Sequence, residues 1–437
     1  MKQMSMVIDG QWGSTGKGLL AGYLAATQNP TAVVCNFGPN AGHTVRFRCG
    51  KAVMTQQLPT GILSSASEIF IGPGAIMDLG LLMDELRKFN LFMAKKTLYL
   101  HERMAVVSFA DKETERMTVN SISSTCKGTG AAACRKIMRQ EGSTMQYFKK
   151  DIEVIARQTA TTIKILTNEQ YLAALSKHEL IQIESAQGIG LSLNVGTSFP
   201  YCTSRDVTPG QILCDCGIPI HWLKGNFMRT YCSMRTFPIR VGNVLDDRGE
   251  MIGFSGPICP DQAEISFEDL NVIPEKTTVT QKIRRIFTFS MKQLEMAKAI
   301  LGNVNIFLNF VNYLSDGFDG GNFKHLVERI EDTGAKVILA SDGPCISDVR
   351  ERANHAECFF MRNLPVTNSL SYIVHIQESL NLLGAKWLPS VDSFMVQDSD
   401  FLLKAFNCIN ALKEEELFPQ DSMFSEYFQE RERNLSQ

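Results

Sequence analysis

Neither sign of charge prevails in this chain of 437 residues. It carries 44 Lys and Arg against 46 Asp and Glu, for a formal net charge of −2. That balance gives no support for binding a nucleic-acid polymer, which usually needs a basic face. An apolar run of membrane-spanning length is missing, so no membrane partner is expected, and the chain enters a strand directly with no leader of the signal-peptide kind. Internal repeats and low-complexity tracts are also missing. The twelve cysteines lack metal-site spacing: Cys214-Asp-Cys216 is the only close pair, and it matches no ordinary zinc site. The reading is of reduced, mostly buried cysteines in a cytoplasmic protein. With 44% hydrophobic residues and 21% charged, the composition suits a soluble globular protein of one large or two joined domains.

What is present begins at once. The apolar run Met6-Val-Ile8 predicts a short buried strand feeding the loop Asp9-Gly-Gln-Trp-Gly13-Ser14-Thr15-Gly16-Lys17-Gly18, after which Leu19 to Ala25 predicts a helix. A strand, a glycine-rich turn and a helix N-terminus form an anion site, because free backbone N–H groups and the helix dipole point at the same place. Lys17 adds a point charge. The strict Walker pattern is broken twice: Gln11 stands where it wants Gly, and Gly18 follows the lysine where it wants Ser or Thr.

Strand-like runs at Ala32–Cys35, Glu68–Ile71, Thr97–Leu100 and Lys336–Ala340 alternate with helical patterns at Met77–Lys88 and from Val279 onward. Such alternation predicts an α/β fold with a largely parallel central sheet and surrounding helices, its ligands at the carboxyl edge. By a family resemblance carried by the motifs quoted next, a catalytic domain is expected over 1–349. A mainly helical extension is expected over 350–437, with amphipathic segments at 369–383 and 401–412.

The first loop closely resembles that of the adenylosuccinate synthetases, Gly-Gln-Trp-Gly-Asp-Glu-Gly-Lys-Gly. A second loop, Asn36-Phe-Gly-Pro-Asn40-Ala-Gly42-His43-Thr44, carries the family's Asn-Ala-Gly-His-Thr. Glu184-Ser-Ala-Gln187-Gly188 and Phe199-Pro-Tyr-Cys-Thr203-Ser are similar to its Glu-Gly-Ala-Gln-Gly and Tyr-Pro-Tyr-Val-Thr-Ser. The resemblance runs from about Met6 to about Val349. It implies a magnesium-dependent ligase, a homodimer, that joins L-aspartate to a purine nucleotide. The donor's γ-phosphate goes to purine O6, and the aspartate amine then displaces it.

By this resemblance, Gly13, Thr15, Gly16, Lys17, Gly18, Gly42, His43 and Thr44 bind the donor nucleotide, with His43 donating to the phosphoryl group in transfer. The Gly42 carbonyl and the residue at Ser14 contact magnesium. Asn40, Ser124, Thr125, Arg139, Gln187 and Thr203 hold the acceptor nucleotide; Arg139 reaches its phosphate across the dimer interface. Thr280, Lys282 and Arg284 match the aspartate-binding loop, with Lys282 in place of a forked guanidinium. Ser341, Gly343 and Pro344 match the loop near the donor base. Pro260-Asp-Gln-Ala-Glu-Ile-Ser266 resembles the family's bacteriophage branch without an assignable role.

Two departures define the expectation. Ser14 replaces the family's catalytic aspartate, and a bare hydroxyl is no base near neutral pH. The bacteriophage branch, which acts on dGMP, carries the same Gly-Ser-Thr-Gly-Lys-Gly. A short serine leaves room for guanine's 2-amino group and can accept a hydrogen bond from it. Asn312 replaces the aspartate that reads guanine in the donor. Its donor and acceptor fit the adenine edge, so ATP or dATP is the expected donor and dGMP the expected acceptor. An ordinary enzyme for IMP and GTP, or an inactive nucleotide-binding relative, is the alternative. The base is open: Asp9 acting directly or through water, Asp9 merely capping backbone N–H groups, substrate phosphate, or metal-bound water.

Overall fold

A computed structural model describes residues 2–47, 52–64, 68–224, 227–246, 248–277, 283–302 and 304–352. The extension foreseen from 350, with both amphipathic segments, lies outside these residues beyond Arg352.

A ten-stranded sheet runs through the molecule. In chain order its strands are β1 (Gln3–Asp9), β2 (Ala32–Cys35), β3 (Glu68–Ile71), β4 (Thr97–His101), β5 (Thr162–Leu166), β6 (Leu180–Glu184), β7 (Phe227–Arg235), β8 (Asn305–Asn309), β9 (Lys336–Ser341) and β10 (Val349–Glu351). Across the sheet they lie in the order β10-β9-β8-β7-β1-β6-β2-β3-β4-β5. All neighbours are parallel except β9 and β10. The α/β expectation holds, and the five strands read from the sequence match β1, β2, β3, β4 and β9.

Central parallel strands are covered on both faces, so they are apolar on both. In β1, Met4 to Asp9 are all buried. Met4, Met6 and Ile8 join one core cluster with Ile181 and Leu294, while Val7 joins another with Leu20 and Leu24. The alternation of a strand thus sends successive side chains into different cores. The helices used below are α1 (Lys17–Gln28), α2 (Leu79–Lys88), α3 (Phe109–Thr118), α4 (Thr129–Ile137) and α5 (Met291–Leu301). No helix among the described residues is long and apolar enough to cross a membrane. The nine described cysteines are all free, but only Cys35, Cys216, Cys232 and Cys259 are buried, fewer than expected.

The helix expected from Val279 begins later. Arg285–Phe287 is a strand, the middle one of a small antiparallel sheet between Ile239–Arg240 and Glu264–Ile265. Ile286 and Phe287 are fully buried there, and this pairing overrides helical spacing. The helix, α5, starts only after Ser290, whose hydroxyl caps Gln293 N at 3.0 Å.

This geometry gives the Pro260-Asp-Gln-Ala-Glu motif a job. Asp261 accepts from the Ser290 hydroxyl at 2.6 Å and from Lys292 N at 3.1 Å. Burial would push its carboxyl up, but these bonds outweigh it and hold it below the usual carboxylate range. Gln262 accepts from Cys259 N and donates to Thr288 O, and Glu264 pairs with Arg285. The motif clamps the chain that leads from the cavity described below into α5. Asp261→Ala removes part of this N-terminal cap. We expect a loss of about 1 kcal/mol and a fall of roughly 2 °C in the thermal midpoint, measured by calorimetry.

Candidate active site

Six strands, β1, β2, β6, β7, β8 and β9, end at one edge of the sheet, and the loops that leave them enclose a cavity of about 630 Å³. This is the edge where open parallel sheets collect ligands.

The first loop is organised by Asp9. The fully buried carboxylate at the end of β1 accepts from Gln11 N (2.8 Å), Gly13 N (3.3 Å), the Thr15 hydroxyl (2.6 Å) and Lys17 Nζ (3.1 Å). Both of its oxygens are occupied, which favours the capping role over that of a base. The loop then passes through left-handed conformations at Gly13, Ser14 and Gly16. At Gly16 a Cβ would lie 2.0 Å from Asn309 Nδ2, so only glycine fits where β8 presses on the loop. Asn309 Nδ2 and the Ser233 hydroxyl both donate to Thr15 O. No side chain caps the N-terminus of α1, which leaves its first N–H groups for an anion.

Gly18 and Gly22 lie one turn apart on the same face of α1. A Cβ on Gly18 would meet Thr44 N at 2.6 Å, and one on Gly22 would meet Val45 Cγ2 at 2.7 Å. The missing side chains bring the strand His43–Arg46 against the first loop and set His43 beside Lys17. His43 Nδ1 sits 2.6 Å from Glu184 Oε1, and both side chains are almost completely buried. Glu184 also accepts from the Thr60 hydroxyl and Gly61 N. Carboxylates only accept, so Nδ1 donates to Glu184 and leaves Nε2 for a ligand. A ring nitrogen held open in this way is suited to a hydrogen bond with a phosphoryl oxygen.

Of the residues singled out in the sequence, Gly13, Ser14, Gly16, Lys17 and Gly18 line the cavity, as do Asn40, Gly42, His43 and Thr44 from the second loop. Ser124, Thr125 and Gln187 reach it from one side; Arg284, Asn312, Gly343 and Pro344 reach it from others. The Ser124–Thr125 loop is held at its base by Glu115 of α3, which accepts from Gly128 N and Gly130 N at the start of α4. Gly188 abuts the first loop: a Cβ would come within 2.4 Å of Gln11 O.

Four candidates stand off the cavity wall. Thr15 turns its hydroxyl inward to Asp9. Ser341 is buried and donates to Gly343 O. Thr203 is fixed by its N–H to Leu191 O, and Arg139 is an exposed, left-handed residue just past α4. Asn312 does not lie on a strand: β8 ends at Asn309, Phe310 turns left-handed, and Val311–Tyr313 is one 3₁₀ turn. Thr280 and Lys282 lie outside the described residues.

One cluster was not anticipated. Arg235, fully buried at the end of β7, donates to Ser14 O at 3.2 Å and ion-pairs with Glu275. Its guanidinium lies 3.7 Å from the Phe310 ring centre, and Tyr313 donates to Glu275 at 2.7 Å. Burial pushes the Glu275 carboxyl up, but Arg235 and Tyr313 more than offset this and hold it below the usual range. Nearby, Arg240 lies over Trp12 at 4.1 Å; burial, and then Arg285, push it down to about 10. A cation closing the otherwise uncharged strand Phe227–Arg235 after Arg229 was the only sequence signal for Arg235.

A parallel sheet with a glycine loop, an unblocked helix start and a carboxylate-backed histidine at its edge defines a nucleotide-binding ligase site, and the comparisons name the family. The adenylosuccinate synthetase family model matches residues 6–170. An N6-succino-2-amino-2'-deoxyadenylate synthase of Acinetobacter phage SH-Ab 15497 is 38% identical over 357 residues, covering 77% of this chain and 90% of that protein. The solved succinoaminodeoxyadenylate synthetase of cyanophage S-2L, bound to dGMP and dATP as an energy donor, has a TM-score of 0.72 and 35% identity, covering 80% of this chain and 95% of that one. The adenylosuccinate synthetase of Plasmodium falciparum shares the fold at a TM-score of 0.64 and 17% identity, covering 80% of this chain and 99% of that one. The chain belongs to the adenylosuccinate synthetase family, and among these relatives it is most similar to the phage enzymes.

Arg235→Met would leave Glu275 without its cation in a largely enclosed place. We expect a loss of about 3 kcal/mol, seen as a lower denaturant midpoint in urea unfolding. Arg235→Met combined with Glu275→Gln should recover part of it.

Proposed function

We propose that this protein joins L-aspartate to the 6-position of dGMP, with ATP or dATP as phosphoryl donor, giving N6-succino-2-amino-2'-deoxyadenylate. The observation that carries this reading is Ser14: an exposed, left-handed residue on the cavity wall between the Lys17 loop and Gln187, where the family's ordinary members place a carboxylate. A hydroxyl there leaves space for guanine's 2-amino group and offers it an acceptor. Two relatives named for this product or bound to dGMP and dATP support the same substrates.

The roles follow from position. The first N–H groups of α1 and Lys17 take the donor phosphates, and His43 steadies the charge on the phosphoryl group as it passes to O6. Gln187 faces the acceptor purine, while Ser124 and Thr125 take its phosphate. Aspartate carboxylates go to Arg284. Among the described residues Glu275 is the one carboxylate on the cavity wall, and it is engaged by Arg235 and Tyr313. With Asp9 occupied as well, the N1 proton leaves to a phosphate oxygen or to water rather than to a side chain. The amine of aspartate then attacks C6, and phosphate departs with O6.

Magnesium belongs to the same reading. The described residues hold no group of three acidic, histidine or cysteine side chains able to bind a metal. The neutral donors at hand, the Ser14 hydroxyl and the Gly42 carbonyl, fit a hard cation that arrives with phosphate oxygens and keeps some of its water. When bound there, such an ion would offset phosphate charge. A homodimer is also part of the proposal: Arg139 stands exposed beside Ile137 and Met138, each 71% exposed, and reaches a phosphate only in a second copy.

The test is a product assay by mass spectrometry with aspartate and magnesium, pairing dGMP, GMP or IMP with ATP, dATP or GTP. Succinylated product from dGMP with ATP or dATP is expected; product from IMP with GTP alone would overturn the assignment. Asn312→Asp should shift donor preference toward GTP by about tenfold or more, since a carboxylate accepts from guanine N1–H and its 2-amino group but has no donor for adenine N1. Glu184→Gln keeps the shape but removes the charge behind His43. We expect kcat to fall about 10- to 100-fold with KM values little changed.

A further inference from the structure

Arg46 is unexplained by the roles assigned so far. It ends the short strand His43–Arg46, whose burial alternates: His43 and Val45 are buried, Thr44 is half-buried and Arg46 is exposed. Val45 points into the core beneath α1 with Leu20 and Leu24. Thr44 and Arg46 therefore share the outward face, and both line the cavity. Among the described residues nothing holds the Arg46 guanidinium by a hydrogen bond or ion pair.

Its position along the cavity is set by two contacts. Thr44 N lies against Gly18, next to Lys17 and the anion site. Arg46 lies two residues on, about 7 Å farther along the strand, and its backbone bridges to Cys345, directly after Gly343 and Pro344 on the cavity wall. Arg46 thus stands beyond the phosphates, on the side where Asn312 and the Gly343–Pro344 turn close the cavity. A nucleoside triphosphate whose phosphates sit at Gly16–Gly18 carries its base to that end.

We propose that Arg46 is a further binding residue for the donor base: its planar guanidinium lies against the face of the purine whose edge Asn312 reads. A guanidinium stacks on an aromatic face, and an ammonium does so less well. The inference rests on the reading of the cavity as a site for a purine nucleoside triphosphate, and it adds the residue that covers the base.

The experiment is titration calorimetry of ATP, and separately of dGMP, into the full chain and its Arg46→Ala and Arg46→Lys variants, with magnesium. Inorganic tripolyphosphate serves as a competitor that has phosphates but no base. Arg46→Ala should weaken ATP about 5- to 20-fold, Arg46→Lys should restore less than half of that loss on a logarithmic scale, and tripolyphosphate and dGMP should bind all three proteins alike. Equal losses for ATP and tripolyphosphate would make Arg46 a phosphate contact and overturn the proposal. Unchanged ATP affinity in both variants would also overturn it. Failure of the unaltered chain to bind ATP, with dGMP still bound, would instead strike the donor reading on which the proposal rests. Because Arg46 is exposed, thermal midpoints should match the parent, which separates lost binding from lost folding.

Discussion

The whole active edge hangs on one buried carboxylate. Asp9 ends a central strand and gathers two backbone N–H groups, a hydroxyl and an ammonium onto its two oxygens. An isolated charge at that depth would be costly; four donors make it sustainable. In return the glycine loop acquires one shape, and the start of α1 is aimed into the cavity. Neighbouring pieces are then fitted to that shape. Gly188 and Asn309 approach the loop at distances only glycine allows, and Arg235 reaches its far side through Ser14 O. The site is therefore built outward from the first strand rather than assembled from equal parts.

Much of this was legible from the chain. The glycine loop, the Asn-Ala-Gly-His-Thr segment and the Glu-Ser-Ala-Gln-Gly segment are contiguous, and Gly13, Gly16, Gly18 and Gly188 each answer a local need for close approach or a positive φ. Strands such as Ala32–Cys35 are short apolar runs with turn residues after them. The failures have a different origin. Val279, Ile283 and Ile286 are spaced like one face of a helix, and only pairing with Ile239 and Ile265 makes the later part a strand. Arg235 and Glu275 are brought together by the sheet, from positions that share no motif. That Thr203 and Arg139 stand off the wall depends on which side of the sheet their loops fall, and a single chain's motif order carries no such information.

Arg235 also shows how the two ends of the cavity are joined. One guanidinium contacts the carbonyl of Ser14, in the loop given to the acceptor purine, and the ring of Phe310, beside the residue given to the donor base. Both neighbouring segments are left-handed at these positions. A shift in either is felt by the same buried side chain, so acceptor and donor selectivity are mechanically adjacent even though no ligand atom need touch Arg235.

The position of β1 has a consequence for how the chain is made. Its partners are β6 and β7: Val7 stands opposite Glu184 on one side and Tyr231 on the other. Once made, this strand cannot pair with either neighbour until the chain as far as β6 has followed it. At ~10 residues per second, its apolar face waits on the order of twenty seconds, and contacts so distant in sequence close slowly once available. The strand that shapes the finished site is thus, during synthesis, an apolar segment whose partners arrive late, and it is open to other chains in that interval.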